Sequence, residues 1–79
     1  MRNRYRKSEL LRARECYQDW MPDDMAKCWI AGEASAKMTP RHLLRAFPTP
    51  TKAASAMGME CAAAWIEGYK HGAMAQEGA

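Results

Sequence analysis

This 79-residue chain has a single phenylalanine, Phe47, and three cysteines with no Cys-x-x-Cys pair among them. It also lacks any long apolar run. Its longest uncharged stretch, from Ala53 to Met59, falls far short of the ~20 apolar residues that span a bilayer, so no transmembrane helix is expected. The charged N-terminal segment MRNRYRKSELLRARE is followed by no apolar h-region, which argues against a secretory signal and for a cytoplasmic protein. Cys16, Cys28 and Cys61 each fall on or beside an apolar helical face and are expected as buried thiols in a reducing compartment. With His42 and His71 they make five potential zinc ligands, but no two stand at the i, i+3 or i+4 spacing of metal motifs, so no metal or cofactor is expected. Catalytic constellations are missing as well. There is no serine, histidine and acid at recognisable spacing and no Gly-rich phosphate loop, and the paired carboxylates Asp23 and Asp24 are explained by a helix N-terminus. A non-enzymatic protein is expected.

What is present is an ordinary globular balance, 48% apolar and 27% charged, which separates the chain from disordered sequences. The length allows one domain, residues 1–79, near the size at which a single core leaves only a few kcal/mol of stability. The net charge of +3 is unevenly spread. Arg2, Arg4, Arg6, Lys7, Arg12 and Arg14 face only Glu9 in the first fourteen residues, whereas the rest of the chain is slightly acidic. Clustered cations beside Tyr5 suit a polyanion or an acidic protein surface, and residues 1–7 are expected as a flexible basic arm.

Hydrophobic spacing predicts an all-α fold. A first helix begins between Asn3 and Ser8 and runs to about Trp20, with Leu10, Ala13, Tyr17 and Trp20, and Met21 beyond, along its apolar stripe. Pro22 breaks it and opens a second helix whose first turn carries Asp23 and Asp24 and whose end carries Lys37. Met25, Cys28, Trp29, Gly32 and Ala36 form its inner face, and Ile30 points the other way. Thr39-Pro40 signals a short helix to Phe47, ended by Pro48. The segment TPRHLLRAFP is echoed ten residues later by TPTKAASAMG, which suggests one capping device used twice.

The organising stretch is Thr51 to Gln76. On a helical wheel Met57, Gly58, Cys61, Trp65, Gly68, Tyr69, Gly72 and Ala75 lie within about 60° of one direction, with Lys52, Glu60, Glu67, Lys70, His71 and Glu77 opposite. One long helix is expected, packed on a hairpin of the first two, in a compact domain of three to four helices. Three glycines on the stripe each cost roughly 1 kcal/mol of helix propensity, which implies close backbone approach by another helix, with Trp29 or Trp20 in the groove. Seven methionines offer plastic core filler or a soft contact surface.

Two resemblances attach to this stretch. In TKAASAMGMECAAAWIEG, Ala54 and Gly58 stand four apart between Met57 and Met59, which resembles the first helix and turn of phage Cro-like repressors. It implies a DNA-binding helix-turn-helix. The positions six and nine residues past the glycine, which should face inward, are Ala64 and Glu67, and the unbroken wheel phase favours a single helix instead. The segment WIEGYKHGA is similar to the Gly-Tyr-x-x-Gly helix of small ribosome-associated modulation factors, over nine residues only.

Taken together, these features describe a small binding protein that modulates a larger host complex by occupying its surface. Phage and other mobile-element accessory proteins, anti-CRISPR inhibitors among them, fit that description. Arg2, Arg4, Arg6, Lys7, Arg12 and Arg14 would meet an acidic protein or nucleoprotein surface, with Tyr5 as an aromatic anchor. A small DNA-binding regulator is the alternative, and a homo-oligomer stays open.

Overall fold

The computed structural model describes residues 5–77. They form α1 (Lys7–Cys16), α2 (Asp23–Met38), a 3-10 turn (Arg41–Leu43), α3 (Lys52–Ala56) and α4 (Met59–Glu77), with no strand among the described residues. The all-α expectation holds, as does the packing of a long C-terminal helix on the N-terminal pair. No helix among these residues is long and apolar enough to cross a membrane.

α1 is shorter than its spacing predicts. It ends at Cys16, with the Tyr17 amide donating back to the Ala13 carbonyl, and the chain turns through Gln18 to Met21. Arg14 secures the turn by donating to the Met21 carbonyl at 2.7 Å and to Asp23 at 2.6 Å. Leu10 and Ala13 are buried as expected, but unwinding after Cys16 changes the phase. Met21 goes inward and Trp20 is left 59% exposed.

α2 is the centre of the molecule. Pro22, in extended conformation, stands at its N-cap, and Asp23 and Asp24 fill its first turn. The expected inner face is buried, and so are Ala26 and Ile30. Ile30 was expected on the far side. It is covered because α2 packs against both α1 and α4, and a helix with two neighbours buries more of its circumference than one stripe.

The helix expected from Pro40 to Phe47 does not form. The Thr39 hydroxyl donates to the Ser35 carbonyl at 2.7 Å, so it closes α2 instead of capping a new helix. Pro48 disfavours helical geometry for Phe47. Only the single 3-10 turn remains, with Leu44 half-buried and Leu43 and Phe47 exposed, so the segment is not a plug. The echoed Thr-Pro pair also differs from its first copy: Thr51, not Thr49, caps α3 by accepting from the Ala54 amide at 3.2 Å.

The helix expected over 51–76 is interrupted at Gly58, whose φ of 118° is a left-handed geometry that glycine adopts at little cost. Met57 and Gly58 donate back to Ala54 and Ser55, ending α3, and the Gly58 carbonyl accepts from Ala62 at the start of α4. Beyond the break Cys61, Trp65, Gly68, Tyr69 and Gly72 are buried as expected, while Met57, Gly58 and Ala75 are exposed.

α2 and α4 run in the same direction and meet reciprocally. A Cβ on Gly32 would lie 1.9 Å from the Trp65 carbonyl oxygen, and one on Gly68 would lie 1.9 Å from the Trp29 carbonyl oxygen. Further along, Gly72 abuts the Glu33 carbonyl and Ala36, and the Gln76 amide donates to the carbonyls of Ala36 and Lys37. This is a pseudo-two-fold contact inside one chain. The sequence carries it as a repeat offset by thirty-six residues, Met21/Met57, Ala26/Ala62, Trp29/Trp65, Ile30/Ile66 and Gly32/Gly68. Glycine at both crossing points lets the backbones touch, in the manner of small-xxx-small helix pairs.

Candidate functional site

Polar chemistry concentrates around Glu33, the buried charged residue of the core, only 3% exposed. It follows Gly32 on α2, and the close passage of α4 seals it from solvent. Arg12 of α1 grips it with two parallel hydrogen bonds, Nη1 to Oε2 at 2.9 Å and Nη2 to Oε1 at 2.6 Å. His71 of α4 places Nδ1 at 3.1 Å from Oε2, and Lys37, one turn further along α2, places Nζ at 3.8 Å. Trp29 lies against the same cluster. Its ring centroid is 5.6 Å from the Arg12 guanidinium carbon and 5.0 Å from the His71 ring.

Burial alone would push the Glu33 carboxyl upward. The Arg12 hydrogen bonds, followed by the charges of Arg12, Lys37 and His71, outweigh it and hold the carboxyl below its ordinary value. Both oxygens are committed to donors, so the group works as a charged joint tying α1, α2 and α4. Among the described residues every buried side-chain nitrogen and oxygen has a partner. Sequence reasoning overlooked Glu33. The signal was there: Trp29, Glu33 and Lys37 are successive i, i+4 positions, with the glutamate beside an apolar stripe.

The residues expected to bind a partner divide into three groups. Arg2 and Arg4 lie outside the described residues. Arg12 and Arg14 are engaged within the molecule, Arg12 with Glu33 and Arg14 with Met21 and Asp23, and the two ends of the Arg14 pair are 22% and 65% exposed. Arg6 and Lys7 are exposed at the start of α1. Tyr5 is half-buried against the core instead of projecting as an anchor, and burial, followed by the charges of Glu9 and Cys28, pushes its hydroxyl upward. Beside Lys7 the surface carries Leu11, 57% exposed, and a groove lined by Lys7, Leu10, Leu11, Arg14 and Asp23. Trp20, in the turn that Arg14 secures through the Met21 carbonyl, is exposed as well. Sequence reasoning missed Trp20 as a surface residue because it extended α1 by a turn.

The other candidates are dispersed. Cys16 is exposed, contrary to expectation, while Cys28 and Cys61 are buried, and no three His, Cys, Asp or Glu side chains converge among the described residues. His42 is exposed, and His71 belongs to the Glu33 cluster. The helix-turn-helix contour is present in outline: Ala54 and Ala64 are buried on either side of the Gly58 turn, with Glu67 half-exposed and 3.5 Å from Lys70. α3, however, spans only five residues, and the exposed start of α4 presents Met59 and Glu60. Comparison with known proteins finds no matching family model, no matching curated protein and no matching solved structure.

Proposed function

We propose that the protein is a small non-enzymatic binding protein that modulates a larger complex by occupying an acidic, partly apolar surface. The observations carrying this reading are the exposed Lys7 and Leu11, which line one groove on α1, the exposed Arg6 at the helix start, and the exposed Trp20 in the turn after the helix. Aromatic and cationic residues around an aliphatic contact are the composition of an interface hot spot. Arg2 and Arg4 extend the same basic stretch in sequence. Arg12 and Arg14 contribute indirectly, by fixing α1 and the Trp20 turn. Phage and mobile-element accessory proteins, anti-CRISPR inhibitors included, act in this way, and the protein is proposed to belong to that functional class.

Affinity capture from host lysate tests the proposal. Wild-type protein should retain a specific partner whose recovery falls between ~50 and ~200 mM salt, as screening predicts. Changing Lys7 to Glu together with Leu11 to Ser should abolish recovery while the far-ultraviolet circular dichroism stays unchanged. Undiminished recovery by that folded variant would overturn the role of this face.

A second reading, a DNA-binding regulator, draws support from the turn at Gly58 between α3 and α4. A gel-shift titration with random duplex DNA separates the two. A DNA binder shifts the duplex at low salt and loses it steeply by counterion release. With Glu60 in the first turn of α4 and Glu67 midway along it, no shift is expected there.

A further inference from the structure

We propose that Cys28, Cys61 and Met57 form a binding site for a soft monovalent metal ion, Cu(I) in particular. Cys28 of α2, Met57 at the end of α3 and Cys61 of α4 line two clefts that share Met57. Cys28 and Cys61 are both buried, and Sγ of Cys28 lies 3.8 Å from Sδ of Met57. Met57 reaches this point because the left-handed Gly58 turns the chain immediately after it.

The donor set selects the ion. Two thiolates and a thioether are soft ligands that favour Cu(I), while structural zinc needs a fourth ligand that this group lacks. Spacing agrees with coordination. With metal–sulfur bonds of about 2.3 Å, the length of a zinc–thiolate bond, the sulfurs of a trigonal site stand about 4 Å apart, close to the separation already present between Cys28 and Met57.

Access and charge are also provided. A cleft lined by Cys28, Met57, Thr51 and Tyr5 opens on one side of the cluster, and another lined by Met25, Met57 and Cys61 opens on the other. Binding exchanges one Cu(I) for the two thiol protons, forming two copper–sulfur bonds to thiolates and one to the thioether. No electron is transferred. The site then carries one net negative charge, and Lys27 lines the same cleft as Cys28 and Met57. The bound ion would pin α2 to α4 and the turn, so the loaded protein should be harder to unfold.

The test is an anaerobic Cu(I) titration against a chromogenic competing chelator, made on the Cys16→Ser protein so that the exposed thiol takes no part. One equivalent should be retained, and the melting temperature should rise on loading. Adding Cys28→Ser and Cys61→Ser should abolish retention and the thermal shift. Met57→Leu, at a half-exposed position that tolerates the change, should keep the fold and lower affinity about tenfold. Absence of stoichiometric uptake by Cys16→Ser would overturn the site. Equal affinity in the folded Met57→Leu variant would also overturn it, since the thioether would then be no ligand.

Discussion

Glu33 shows how a single residue can set the behaviour of a small core. Its carboxylate is buried and doubly held by Arg12, and removing the guanidinium leaves a charge that only His71 and Lys37 can answer. Breaking a fully buried ion pair costs about 3–5 kcal/mol. Because the Arg12 side chain is itself 44% exposed, Arg12→Ala should lose about 2 kcal/mol by urea denaturation. The pH dependence follows from the lowered Glu33 value. The unfolded chain binds this proton at higher pH than the folded protein, so the stabilisation is complete above the ordinary carboxyl value of 4.5 and is lost as pH falls through the lower folded value. Urea midpoints measured between about pH 6 and about pH 3 should therefore fall less steeply for Glu33→Gln than for wild type. Gly32 and Gly68 are just as constrained. Alanine at either would place Cβ 1.9 Å from a carbonyl oxygen of the opposite backbone, so α2 and α4 would have to separate. Either substitution should cost about 3 kcal/mol or more despite alanine's better helix propensity.

At the scale of the element, the decisive feature is the division of one amphipathic stretch into α3 and α4. Nothing lies within 4 Å of a Cβ built on Gly58, so only its positive φ resists substitution. Gly58→Ala should lose about 1–2 kcal/mol in a denaturant titration. Thr51→Ala, which removes the side-chain acceptor of the Ala54 amide, should lose about 1 kcal/mol. The stripe of cysteine, tryptophan, glycines and tyrosine on α4 was legible because it is a local period. The break was not, because residues 57–59 are apolar or glycine and keep the same average phase whether or not the chain turns. Thr39-Pro40 failed for a related reason. A threonine followed by proline suits a helix start, but a carbonyl at Ser35 lay within reach and the hydroxyl closed α2 instead.

For the whole molecule, α2 and α4 make a parallel, nearly self-complementary pair, with α1 and α3 as covers. Hydrogen exchange should accordingly find the slowest amides in Trp29 to Ala36 and Trp65 to Gly72, and fast exchange from Arg41 to Pro50, where only two backbone bonds close the 3-10 turn. Phe47, 89% exposed, contributes no core contact, and Phe47→Ser should leave stability within about 0.5 kcal/mol. The proposed binding face on α1 and the proposed sulfur site beneath the Gly58 turn use separate residues, so the Met57→Leu variant should still capture the partner.

By itself the sequence determined the helical class, the inner faces of α2 and α4, and the need for a close helix–helix contact at the glycines, because each is written in spacing and composition over a few turns. Only the tertiary structure decided which way Ile30 and Trp20 face, that Arg12 and Arg14 serve the fold, and that Gly32 and Gly68 answer each other across a pseudo-two-fold contact. These outcomes depend on partners distant in sequence. Glu33 is the clearest case: its neighbours in the chain describe a helix, and only the approach of α1 and α4 makes its charge a buried joint.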